Sequence, residues 1–69
     1  MENIKVKFGH RVRELRLIND YSQEKLAELA DLDRSYIHGI EAGKTKVPLK
    51  IINKLEMAFE IEIDHNSLN

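Results

Sequence analysis

The side chains of this chain that can bind or react fall into short clusters. Arg34, Ser35, Tyr36 and His38 sit together, Lys44, Thr45 and Lys46 follow them, and Gln23 stands alone upstream. None of these sets is suited to making or breaking bonds. His10, His38 and His65 lack metal-ligand spacing, and there is no cysteine to help them. The three glycines are scattered rather than gathered into a phosphate-cradling loop. Ser, His and Asp all occur, but no motif sets a nucleophile beside a base. No enzyme, metal or cofactor is expected. What remains is recognition by hydrogen bond and charge. Arg34 offers a planar fork of N–H donors, Ser35 a small hydroxyl and His38 an imidazole that can donate. An exposed helix histidine with no partner is an equal reading of His38.

The element that must present them is Ser22 to Gly43, SQEKLAELADLDRSYIHGIEAG. Ser22 suits an N-cap, and Leu26, Ala27, Leu29 and Ala30 recur at helical spacing, which predicts a helix over Gln23–Ala30. Asp31-Leu32-Asp33 is the turn, with Leu32 plugging the corner and Asp33 as the next N-cap. A second helix over Arg34–Ala42 buries Ile37 and Ile40 and ends at Gly43, where positive φ is wanted. Two short helices across such a turn describe a helix-turn-helix unit, although a generic helical hairpin shares the spacing.

At 69 residues the chain has room for one small core. Without cysteine there is no disulfide, and no apolar run approaches membrane-spanning length. No signal peptide is visible, so a cytoplasmic protein is expected. The net charge of −1 does not advertise a nucleic-acid partner. Its distribution says more: Lys44, Lys46 and Lys50 form a basic stretch without acids, while Glu56, Glu60, Glu62 and Asp64 oppose Lys54 in the tail.

Around the central unit, Phe8, Val12 and Leu15 mark the inner stripe of a helix over Val6–Ile18, preceded by a loose Met1–Lys5. Arg13 lies off that stripe and reads as a solvated residue. Asn19-Asp20-Tyr21 breaks the helix. Pro48 or Leu49 opens a last helix, with Leu49, Ile52, Leu55 and Phe59 facing inward and an end near Ala58 or Phe59. Beyond it, FEIEID alternates apolar and acidic residues, and the strand period is favoured over a fifth helix. Residues 1–59 then form the helical domain and residues 60–69 a dimerisation segment. A lone strand needs a partner, most simply its twin in a second copy, with Phe59, Ile61 and Ile63 at the seam.

SQEKLAELADLDRSYIHGIEAGK resembles the DNA-binding domain shared by lambdoid phage repressors, Cro proteins and Xre regulators. Gln23, Leu26, Ala27, Leu32, Ile37, Ile40, Glu41 and Gly43 match its pattern, and Asp31 departs from the usual turn glycine. The resemblance covers roughly Val6–Phe59 and implies an all-α, lambda-repressor-like domain of about four to five helices. It also implies a dimeric, sequence-specific transcriptional regulator of double-stranded DNA, selecting a palindromic operator. On this pattern Asp33, Arg34, Ser35, His38 and Gly39 face outward: the fork of Arg34 suits O6 and N7 of a guanine, Ser35 and His38 contact base or phosphate, and Gly39 has no side chain to read with. Tyr36 packs or reaches a phosphate through its hydroxyl. Gln23 and the N–H groups of its helix hold a phosphate, and Lys44, Thr45 and Lys46 flank the backbone on the other side. Arg16 and Glu41 match a salt-bridged pair of the phage repressors.

Within this family GIEAGKTKV and the alternating tail are similar to HipB-type antitoxins, which repress their own operon and bind a HipA-type kinase toxin. That is the favoured setting. LDRSYIHGIE also resembles the controller proteins of restriction–modification systems, which end in a fifth helix. A helical protein-interaction module without DNA binding is a further alternative.

Overall fold

The computed structural model describes the backbone of residues 3–67 and the side chains of residues 3–59. Four helices make up the fold: α1 Ile4–Ile18, α2 Gln23–Ala30, α3 Arg34–Glu41 and α4 Leu49–Ser67. There is no strand among the described residues.

α1 starts earlier than its apolar stripe suggests. The Asn3 side chain accepts the Lys5 N–H at 2.8 Å, and this N-cap draws Ile4 and Lys5 into the helix. α2 starts on Ser22, whose Oγ accepts the Lys25 N–H at 2.9 Å.

The first three helices end alike. At the end of α1 Asp20 takes φ of 60°, and Tyr21 N–H donates to the Arg16 carbonyl at 2.9 Å. At the end of α2 Asp31 takes φ of 57°, and Leu32 N–H donates to the Ala27 carbonyl at 2.8 Å. At the end of α3 Gly43 takes φ of 73°, and Lys44 N–H donates to the Gly39 carbonyl at 3.1 Å. Each is a Schellman closure, in which one left-handed residue lets the chain turn back and satisfy carbonyls that the helix leaves open. Tyr21 and Leu32, the residues after the first two closures, pack on the core; Lys44 after the third is exposed.

Val12, Leu26, Ala27, Ala30, Ile37, Ile40, Leu55, Ala58 and Phe59 form the buried core. Leu26, Ile37 and Ile40 are the largest fully enclosed side chains, each worth about 1.5–3 kcal/mol by transfer from water. Phe59 is buried within its own chain, its ring 6.4 Å from that of Tyr21 at 16°. α3 packs on both α1 and α2, and α4 on α2. The approach of α1 to α3 depends on Gly9: a Cβ there would overlap the Ile40 carbonyl oxygen.

The tail corrects the sequence expectation. α4 does not stop at Ala58 or Phe59 but continues to Ser67, crossing the expected boundary at position 59 without a break. The reason is backbone accounting. A strand leaves its N–H and C=O groups to a partner, whereas each residue added to a formed helix gains a hydrogen bond within the same segment. Glutamate suits a helix well, and Ile63 continues the fourfold spacing of Leu55 and Phe59. The side chains of Ile61 and Ile63, expected at a dimer seam, lie outside the described residues.

Candidate nucleic-acid interface

α3 has two unlike sides. Ile37 and Ile40 are buried and Tyr36 is half-buried against the core, while Asp33, Arg34, Ser35 and His38 are exposed. His38 follows Arg34 by four residues and Ser35 by three, so these side chains share one face of the helix. Asp33 stands at the N-cap with extended backbone, but its carboxylate makes no capping bond. It accepts instead a long hydrogen bond from Ser35 Oγ at 3.4 Å. The leading N–H groups of α3 therefore stay free of a side-chain cap, at the end of the helix that favours anions.

One polar network sets the pose of α3. Arg16 Nε donates to Glu41 Oε2 at 2.7 Å and Nη2 to Oε1 at 3.1 Å. Its Nη1 donates to the Tyr21 carbonyl at 2.8 Å. Gln23 Nε2 donates to Glu41 Oε1 at 3.2 Å. The Arg16 and Glu41 side chains are only 11% and 5% exposed. Each of these four nitrogens thus has a named acceptor, and no buried side-chain nitrogen or oxygen among the described residues lacks a partner. Such a pair contributes orientation more than net stability, because desolvating two charges offsets much of their attraction. Here it ties α1, the α1–α2 turn and the start of α2 to the end of α3.

The structure gives Gln23 a protein partner, so its amide nitrogen is engaged within the chain. Arg13 is exposed, as its place off the apolar stripe implies, and it borders a cleft shared with α3. Arg13, Arg16, Gln23, His38, Glu41 and Ala42 line a polar cleft of about 300 Å³ beside α3. The spacing of Arg13 and Arg16, one turn apart on α1, is the sequence signal that pairs them.

The basic loop follows α3 directly. Lys44 and Lys46 are exposed, whereas Thr45 is half-buried against Gly39. Lys46 also borders an apolar groove of about 340 Å³ lined by Ile4, Phe8, Val47 and Ile52. Among the described residues no three His, Asp or Glu side chains are grouped to hold a metal ion. No helix among them is long and apolar enough to cross a membrane.

Two short helices across a left-handed turn, with the second presenting arginine, serine and histidine beside a lysine loop, define the class of helix-turn-helix domains. The chain belongs to the Xre-type helix-turn-helix family, whose model matches residues 12–66. It is 44% identical over 61 residues to the control protein C.BamHI of Bacillus amyloliquefaciens, covering 87% of this chain and 75% of that one. It is 39% identical over 64 residues to the control protein C.MunI of a Mycoplasma species, covering 91% and 86%. The fold matches the crystal structure of the restriction–modification controller protein C.AhdI from Aeromonas hydrophila with a TM-score of 0.80 and 53% identity, over 84% of this chain and 88% of that one.

These relatives overturn the antitoxin setting. The similarity found is to control proteins of restriction–modification systems, which replaces the HipB-type setting, and the HipA-type kinase partner loses its support with it. FEIEID is helical, as a continuation of α4 rather than as a separate fifth helix, so the tail is not the strand on which the antitoxin likeness rested.

Proposed function

We propose that this chain is a DNA-binding transcription regulator of the restriction–modification controller type, working as a dimer on a two-fold symmetric site. The observation that carries the reading is the exposed face of α3, which sets Arg34, Ser35 and His38 together while the Arg16–Glu41 pair holds the helix end. Kinship with control proteins supports it.

In this reading α3 enters the major groove N-terminus first. Arg34 bridges a guanine through O6 and N7, and Ser35 and His38 donate to neighbouring bases or phosphates. Lys44 and Lys46 neutralise phosphates beside the groove. Glu41 takes one N–H of the Gln23 amide, so its second N–H, the leading N–H groups of α2 and the guanidinium of Arg13 meet the phosphate on that side. The net charge of −1 sets no barrier, since the acidic Glu56–Asp64 stretch lies in the C-terminal part of α4 and the lysines lie in the loop before it. A dimer places two copies of α3 about 34 Å apart, one turn of the double helix.

The test is fluorescence anisotropy with the DNA upstream of the chain's own gene against a scrambled duplex. Tight, salt-sensitive binding with preference for the upstream fragment is expected. Equal, weak binding to both would leave a helical protein-interaction module as the function.

A further inference from the structure

Gly39 is the one interior residue of α3 that a short helix would do better without, because glycine is disfavoured against alanine inside helices. It has no left-handed backbone to excuse it; positive φ belongs to Gly43 alone among the glycines. Its neighbourhood supplies the reason. A Cβ at Gly39 would stand 2.6 Å from Thr45 Oγ1 and 3.8 Å from Thr45 Cβ, and beyond its chain neighbours and its own helical backbone it would meet nothing else within 4 Å. Thr45 therefore lies in the space a side chain at position 39 would fill. The loop is also fastened to the same residue through its backbone, by Lys44 N–H to the Gly39 carbonyl at 3.1 Å.

The geometry points to Gly39 as a positioning residue: its bare Cα is the notch into which Thr45 seats, and this seat holds Lys44 and Lys46 at the edge of the recognition helix. Threonine suits the part because its β-branch restricts χ1, so the hydroxyl cannot swing freely out of the way of an added methyl group. The two lysines flank Thr45 in sequence and are both exposed, so any shift of Thr45 carries them with it. The seat rests on the DNA-binding reading for its consequence, which is ordering the phosphate-facing charges before DNA arrives.

The experiment is a double-mutant cycle on the full chain, with a mixed-sequence duplex as probe and the salt slope of its binding as readout. Gly39→Ala unseats the loop and should lower the slope of log K against log salt by about one to two units, as one or two phosphate contacts are lost. Its thermal midpoint should hold or rise, since alanine favours the helix. Thr45→Ala removes Oγ1 and leaves ordinary contact with a Cβ at position 39, so Gly39→Ala/Thr45→Ala should recover the slope of Thr45→Ala alone. A normal slope in Gly39→Ala, or a loss that the second substitution does not rescue, overturns the proposal. If Gly39→Ala does not fold, nuclear Overhauser contacts between the Gly39 α-protons and the Thr45 side chain in the native chain decide, and their absence overturns it equally. Failure of the native chain to bind the duplex would instead count against the DNA-binding reading, whereas native binding with an unaltered Gly39→Ala counts only against the seat.

Discussion

Arg16 and Glu41, 25 positions apart in the chain, meet as a two-armed pair that joins α1 to the last turn of α3. Both Glu41 oxygens and all three Arg16 nitrogens are engaged, the third by the Tyr21 carbonyl. Glu41→Ala leaves a guanidinium that is 11% exposed without its counter-charge and leaves Gln23 Nε2 without an acceptor. A loss of roughly 3 kcal/mol is expected. The control is Glu14→Ala, which breaks the Arg11–Glu14 pair at 60% exposure or more and should cost no more than about 0.5 kcal/mol. Equal shifts of the urea midpoint in the two variants would refute the difference argued from burial.

Gly9 offers a packing test of the same crossing. Gly9→Ala adds a methyl group where the Ile40 carbonyl already stands, with the Glu41 carbonyl 3.1 Å away. Helix propensity alone would make the change favourable by about 1 kcal/mol. Overpacking against a rigid backbone should reverse the sign, for a net loss of about 1–3 kcal/mol in chemical denaturation. A stabilised variant would mean that α1 and α3 stand further apart.

Asp31 runs the other way. It holds the left-handed position that the family usually gives to glycine, with its side chain 99% exposed and only a 4.0 Å approach to Lys54 Nζ. Asp31→Gly removes the Cβ strain at a small cost in unfolded-chain entropy, and should stabilise by roughly 0.5–1 kcal/mol. A lower thermal midpoint would show that the contact with Lys54 outweighs the strain.

Base reading and phosphate contact separate by substitution. Arg34→Ala should cost about 1–3 kcal/mol on the preferred site and relax choice at one base pair. Lys46→Ala should weaken every sequence alike and reduce the salt slope by about one. Competition binding distinguishes them; unchanged discrimination in Arg34→Ala would mean that α3 docks in another orientation.

The helix-turn-helix core was legible in the sequence because its signals are local. Ser22 caps α2 through a residue three positions on, Asp31 turns the chain by its own φ, and Ile37 and Ile40 declare the inner face of α3 by spacing alone. The tail is not legible in this way, because alternation in FEIEID makes a strand only where a partner strand exists. With none among the described residues, the backbone pairs with itself and α4 runs on.

Composition and spacing by themselves determined a small helical fold and its turn, and the resemblance to the Xre pattern implied the outward trio Arg34, Ser35 and His38. Tertiary structure alone decided what those residues stand beside. Gln23 gives its amide nitrogen to Glu41, Arg13 joins the cleft next to His38, and Gly9 and Gly39 admit the Ile40 carbonyl and the Thr45 hydroxyl. A missing side chain leaves no periodic signal, and a hydrogen bond between distant residues leaves no spacing. Such contacts come into being only when packing brings α1, α3 and the lysine loop to within a few ångströms.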